Sequence, residues 1–183
     1  MRVITGLARG KRLATPDGED IRPTPERVKE AVFSAIQFQV EGRRVLDLFA
    51  GTGQLGIEAL SRGAREAVFV DASKKSLAVT QKNLEETGLI AKARVKNMDF
   101  ASFLLQNGEP FDIAFLDPPY RTGLLQRALP LTAERMNKGG TIICEYPSDE
   151  VVPETAGEFV LFRSYRYGKI QITLYRHKDV TTE

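Results

Sequence analysis

Asp117-Pro118-Pro119-Tyr120 places a carboxylate, a stiffened backbone and an aromatic face within four residues. It directly follows an apolar run, Ile113-Ala114-Phe115-Leu116, that reads as a buried strand. The combination suits the holding of a flat, amino-bearing ring. A carboxylate oxygen accepts one N–H of the amino group and a fixed backbone carbonyl accepts the other. The nitrogen lone pair is then less conjugated with its ring and can attack an electrophile. The two prolines fix φ and remove two backbone donors, so a carbonyl is presented rigidly. Tyr120 can stack on the ring. Asp-Pro and Pro-Pro also mark simple turns, and a turn is expected where a strand ends.

A second group lies upstream. Asp47-Leu48-Phe49-Ala50-Gly51-Thr52-Gly53 follows one apolar run and precedes a helical pattern. Gly51, Gly53 and Gly56 match G-x-G-x-x-G, where glycine lets the chain turn sharply and a ligand approach the backbone. By itself the loop serves a dinucleotide, S-adenosylmethionine or a bare strand-to-helix turn. Asp71 ends the next strand, 18 residues after Gly53, where an acid can accept both ribose hydroxyls of an adenosine. Asp99 follows the third strand and is placed to accept from an adenine amino group. Either acid could instead cap a helix. Strands one to four thus end in Asp47, Asp71, Asp99 and Asp117, and in a doubly wound sheet those ends share the rim where ligands bind. The single histidine, His177, lies near the C-terminus, away from any hydride-transfer position. The Asp117 element has a role in amine methylation and none in hydride transfer, which favours S-adenosylmethionine over NAD.

The elements that position these groups alternate. Strands are expected at Val45–Phe49, Ala67–Val70, Ala93–Val95, Asp112–Leu116 and Thr141–Glu145. Helices fall between them at Gln54–Arg62, from Ser73 as cap to about Thr87 with Gly88 as stop, at Phe100–Gln106 and at Leu124–Met136. This alternation predicts an α/β fold with a parallel sheet covered on both faces. Phe159–Phe162 and Ile170–Tyr175, joined near Gly168, break the alternation and predict an antiparallel edge. Ahead of the sheet, residues 1–23 read as an extended pair around Gly10 that ends in the turn Pro16-Asp17-Gly18. Thr24 and Pro25 open a helix with Val28, Ala31, Val32, Ala35 and Ile36 on one face. We divide the chain into an N-terminal hairpin and helix, 1–40, that binds substrate, and a catalytic domain, 41–183.

The 183 residues are 42% hydrophobic and 27% charged, which suits one α/β domain with a sizeable core. There is no membrane-length apolar stretch and no signal-peptide pattern. One cysteine, Cys144, excludes an intramolecular disulfide and reads as a core thiol. With a single His and a single Cys, a metal site is not expected. The expected setting is cytoplasmic, metal-free and away from membranes, and the expected state is monomeric. Net charge is +2, but residues 1–12 hold Arg2, Arg9, Lys11 and Arg12 with no acid. Residues 159–178 likewise hold Arg163, Arg166, Lys169, Arg176 and Lys178 without one, interleaved with Tyr165, Tyr167 and Tyr175. Such basic ends suggest a polyanion footprint.

The residues Asp47 to Gly53, Asp71, Asp99 and Asp117 to Tyr120 resemble those of class I, Rossmann-like S-adenosylmethionine-dependent amino-methyltransferases. More specifically, five segments resemble the RsmD family of bacterial 16S rRNA guanine-N2 methyltransferases. They are Met1-Arg2-Val3-Ile4, Gly10-Lys11-Arg12-Leu13, Arg22-Pro23-Thr24, Arg27 to Phe33 and Tyr167-Gly168-Lys169. The resemblance spans nearly the whole chain. It implies a doubly wound, mostly parallel seven-stranded sheet with an antiparallel C-terminal edge and a short N-terminal extension. It implies methylation of one guanine N2 in 16S rRNA of the small ribosomal subunit or its assembly intermediate. Catalysis would fall to Asp117, Pro118, Pro119 and Tyr120, and cofactor contacts to Asp47, Phe49, Ala50, Gly51, Gly53, Asp71 and Asp99. Substrate contacts would fall to Arg9, Lys11, Arg12, Arg22, Thr24 and Arg27. The rivals are a DNA adenine-N6 methyltransferase, which uses the same tetrapeptide but usually carries a sizeable recognition domain, and a non-catalytic nucleic-acid-binding module. Intact glycines and Asp117 count against the latter.

Overall fold

A computed structural model describes residues 1–18 and 23–180. Three near-continuous apolar runs build its centre: β1 (Arg44–Leu48), β2 (Glu66–Asp71) and β4 (Phe111–Leu116). Runs of that kind need cover on both faces, as strands of a parallel sheet do. β3 (Ala93–Asn97) is the exposed parallel edge, and β5 (Met136–Pro147) completes the parallel set. β7 (Phe159–Tyr167) and β8 (Ile170–His177) add antiparallel to β5. Among the described residues the order is β3-β2-β1-β4-β5-β8-β7-β6, eight strands rather than the seven expected. The additional strand, β6 (Thr155–Ala156), is two residues long and pairs with Val160 and Phe159, too short to register as periodicity.

Helices lie on both faces, each closed by its own local chemistry. α2 (Gln54–Ser61) follows the glycine loop. In α3 (Lys74–Thr87) the Ser73 side chain accepts the Ser76 N–H, and Gly88 at φ 73° ends the helix, as expected. α4 (Phe100–Leu104) and α5 (Leu124–Ala133) cover the other face. One apolar core joins α1 (Glu26–Ala35), α2 and the N-terminal Val3, Ala8 and Leu13 to one side of the sheet; a second joins α4 and α5 to the opposite side. Cys144 is in the second core, where burial pushes its thiol pKa up. Among the described residues no helix is long and apolar enough to cross a membrane.

The N-terminal segment pairs with itself: around an antiparallel Arg2–Arg12 bridge, the Val3 N–H donates to the Lys11 carbonyl at 2.9 Å and the Leu13 N–H to the Met1 carbonyl at 3.0 Å. Between the two arms the chain swings out to α2, where the Leu7 N–H donates to the Ser61 carbonyl at 2.8 Å. Polar groups then seat the segment. Glu58 of α2, with 0% exposure, accepts the N–H groups of Ile4 at 2.9 Å and Thr5 at 3.1 Å. Lys29 of α1, 1% exposed, donates to the Arg2 carbonyl at 2.6 Å and lies 3.8 Å from Glu58. Asn83 of α3 exchanges hydrogen bonds with Ala14 and donates to the Thr52 carbonyl at 3.0 Å. The first helix also opens one residue later than expected: Pro25 is the flanking residue and Thr24 makes no capping bond, because its hydroxyl is engaged elsewhere.

Candidate active site

The C-terminal ends of the parallel strands open onto one cleft of about 710 Å³. Its walls include Asp47, Asp71, Asp99 and Asp117, so all four strand-end acids meet there. β4 lies beside β1, which brings Asp117-Pro118-Pro119-Tyr120 across the cleft from the glycine loop.

The loop after β1 is shaped by its glycines. Gly51 takes φ 58°, and a Cβ there would meet nothing within 4 Å, so the backbone stays open to a ligand. Gly56 does a different job. A Cβ there would approach the Phe69 ring to 2.3 Å, so its absence lets α2 pack closely on β2. Phe49 precedes the loop at φ 66°, an uncommon conformation for a bulky residue, with its ring 5.4 Å from that of Phe100. Phe49 is therefore both a cleft wall and a partner of the second core. The Ala50 N–H is tied to the Val70 carbonyl at 2.9 Å.

The acids are not equivalent. Asp47 is 2% exposed and accepts the Gly56 N–H at 2.9 Å. Burial pushes its pKa up to about 8, with Asp71 adding in the same direction and the Gly56 bond opposing. Asp71 steadies the loop by accepting from Gly51 N–H and Ser73 N–H at 2.9 and 2.8 Å. Each of its oxygens still has a lone pair for a ribose hydroxyl. Asp99 caps α4, accepting from the Ser102 N–H at 2.9 Å and hydroxyl at 2.6 Å, and these bonds hold its pKa down. The cap and the cleft wall are thus the same residue. Asp117 is half-buried as a residue, but its carboxyl is desolvated. Burial, then Glu145, then Asp47 hold its pKa well above the usual carboxylate range, while the Thr24 hydroxyl pulls the other way.

Whether these residues fit S-adenosylmethionine can be judged from the cleft itself. The volume lies within the usual span for a small-molecule site. The open Gly51 backbone and the Asp71 carboxylate suit an adenosine. Gln54 is 8% exposed and lines the cleft, yet its Oε1 has no hydrogen-bond partner. A buried acceptor left unpaired is costly, and a cationic amino group is one ligand donor that would satisfy it. The set fits. Asp71→Ala is expected to weaken S-adenosylmethionine binding by roughly 1–3 kcal/mol through unpaired ribose hydroxyls and a loosened loop. Titration calorimetry giving wild-type affinity would remove Asp71 from the site.

Other expected positions are scattered. Arg9, Lys11, Arg12 and Arg27 are exposed, as a phosphate footprint requires. Arg22 lies outside the described residues. Thr24, expected among the substrate contacts, is 4% exposed and donates its hydroxyl to Glu145 Oε2 at 2.8 Å, so it is buried beside Asp117 and not on the surface. In the C-terminal cluster, Arg163 and Arg176 stack over Phe162 at 5.1 and 4.3 Å. Tyr165 and Tyr167 pack against the first core. Glu145 itself escaped the sequence reading. Its signal was present: it is the acid that ends strand five of the same rim.

Comparison with known proteins places the chain in a family. The family described as "Conserved hypothetical protein 95" matches residues 1–176. "Ribosomal RNA small subunit methyltransferase D" of Escherichia coli K12 is 34% identical over 182 residues, covering 97% of this chain and 90% of that protein. The protein of the same name from Haemophilus influenzae is 34% identical, with 97% and 94% covered. Among solved structures, an Escherichia coli chain provisionally assigned as the methyltransferase yhhF superposes with a TM-score of 0.86 at 35% identity, covering 97% of each chain. A hypothetical protein from Thermus thermophilus gives 0.83 at 32% identity, covering 96% of this chain and 99% of that one.

Proposed function

This chain belongs to the Conserved hypothetical protein 95 family, the RsmD methyltransferases, and from that premise we propose that it methylates the exocyclic N2 of one guanine in small-subunit rRNA. The observation that carries the reading is the juxtaposition of Asp117-Pro118-Pro119-Tyr120 with the glycine loop across one cleft.

S-adenosylmethionine, when bound, supplies an electrophilic methyl group on a sulfonium. The chain's own residues position and polarise. Gly51, Asp71 and Asp99 hold the adenosine, and Gln54 accepts from the amino group at the other end. Asp117 accepts one N–H of the guanine amine. Pro118 offers its carbonyl to the other, since the Pro119 carbonyl already accepts the Thr122 hydroxyl at 2.7 Å. As the carbon–nitrogen bond forms, the carbon–sulfur bond would break to leave a neutral thioether, nitrogen becomes positive, and the Asp117 carboxylate stabilises that charge. The proton then leaves nitrogen for water. Tyr120 stacks on the base, which must be unpaired or turned out of its helix. Residues 1–40 serve as the substrate-binding extension: Arg9, Lys11, Arg12 and Arg27 contact phosphates, a grip that weakens with salt and does not read sequence. The enzyme works in the cytoplasm on the small subunit or its assembly intermediate.

The test is incubation with labelled S-adenosylmethionine and naked small-subunit rRNA, small subunits or duplex DNA, followed by nucleoside identification. N2-methylguanosine from rRNA or subunits is expected. Reversing charge at Arg9, Lys11 and Arg12 should raise the apparent KM and flatten its salt dependence. Label in N6-methyladenosine of DNA would replace this reading with the DNA enzyme, and no incorporation anywhere would leave a binding module.

A further inference from the structure

Glu145 lies near the C-terminal end of β5, after Ile142, Ile143 and Cys144, all buried, with Cys144 in register with Leu116 of β4, and is itself 6% exposed. Across the sheet its register partner is the apolar Ile172 of β8. A carboxylate in such surroundings is costly unless donors reach it. Two donors come from outside the sheet. The Tyr120 hydroxyl reaches Oε1 at 3.0 Å, and the Thr24 hydroxyl reaches Oε2 at 2.8 Å. Tyr120 belongs to the reactive loop, and Thr24 to the segment that leads into α1.

On the amine-methylating reading above, we infer that Glu145 is a positioning residue for methyl transfer: it pins the Tyr120 ring by its hydroxyl and, together with Thr24, orients Asp117. A tyrosine ring anchored only at its Cβ swings about two torsions, whereas a tether on its hydroxyl fixes the plane that a target base must meet. Thr24 has one hydroxyl proton. The hydroxyl lies against both carboxyl groups, donating to Glu145 at 2.8 Å and, when its proton turns the other way, favouring ionised Asp117. The groups acting on Asp117 are Glu145 from β5, Asp47 from β1 and the uncharged Thr24 hydroxyl. Glu145 raises the proton affinity of Asp117, so removing that charge eases Asp117 ionisation.

The experiment compares Glu145→Gln, Tyr120→Phe and the double variant in full-length protein. It measures kcat and KM against pH, S-adenosylhomocysteine affinity by calorimetry, and Tm. Glu145→Gln should lower plateau kcat by about 10- to 100-fold, because a misplaced reactive group costs that much. Cofactor-product affinity should stay within about twofold, since the residue touches the amine side only. The acid limb of kcat should move to lower pH, as loss of a like charge beside Asp117 requires. Tyr120→Phe should also lower kcat without moving the limb so far, and the double variant should lose less than the product of the single losses. An unchanged kcat, an unmoved limb or fully multiplicative losses overturn the inference. If Glu145→Gln fails to fold, Tyr120→Phe decides: wild-type kcat in that variant overturns it equally. Failure of the underlying reading looks different, because the wild-type protein itself would then transfer no methyl group to an amine.

Discussion

Asp117→Ala is expected to cut kcat by about 10²–10³, the usual cost of removing one preorganised partner of developing charge. The variant loses the acceptor for the amine N–H and the anion that balances positive nitrogen. Affinity for S-adenosylmethionine should hardly change, because Asp117 is assigned to the amine. Stability should not suffer either, and the sign can be worked out. The folded-state pKa of Asp117 is raised by burial, Glu145 and Asp47. A carboxyl of that kind supports the fold fully below its unfolded pKa, and its contribution is lost as pH rises through the folded value. At neutral pH and above, the alanine variant should therefore melt at the same temperature as wild type or higher. Asp117→Asn, which keeps a carbonyl acceptor without the charge, should fall between. Normal turnover in Asp117→Ala would reduce the tetrapeptide to a turn. Lost turnover accompanied by a lower Tm would assign the residue to the fold.

Glu58→Ala should cost about 3–5 kcal/mol of stability, the range for breaking a buried pair from one side. Glu58 neutralises a neighbourhood that contains buried Lys29, and it also accepts the Ile4 and Thr5 N–H groups and the Arg62 guanidinium at 2.9 Å. Its loss leaves an uncompensated ammonium, whose pKa burial already pulls down, and two backbone donors without acceptor. For a chain of this size the melting temperature should drop by roughly 10 °C. Combining Glu58→Ala with Lys29→Met, which removes the stranded charge, should recover part of that loss. A fall of less than about 1 kcal/mol in urea denaturation would mean that water replaces the network without penalty. The N-terminal segment carries Arg9, Lys11 and Arg12, so the same variant should also impair substrate binding before it impairs cofactor binding.

Much of this protein was readable from short stretches of chain. Ser73 and Gly88 bound α3 through contacts with their own neighbours, and the glycine loop turns because Gly51 and Gly53 take positive φ. Apolar runs marked β1, β2 and β4, and an acid at the end of each strand marked the rim. All of these signals act over a few residues, which is the range at which caps, turns and alternation operate. β6 was missed because two residues carry no period.

Where polar side chains travel far was not readable. Glu58 sits on α2 in a sequence context that suits a surface acid, and it is buried because the first residues of the chain return to it. Thr24 looked like a helix cap or a substrate contact. Its hydroxyl instead reaches Glu145, 121 positions away, because α1 docks over the sheet beside β5. Glu145 meets Tyr120 because β5 runs alongside β4. Bonds of this kind depend on strand order and on the path of the returning chain. Local propensity carries no record of either, so the acids that face the cleft could be named from residue type and position, while the hydroxyls and acids standing behind them were placed only by packing.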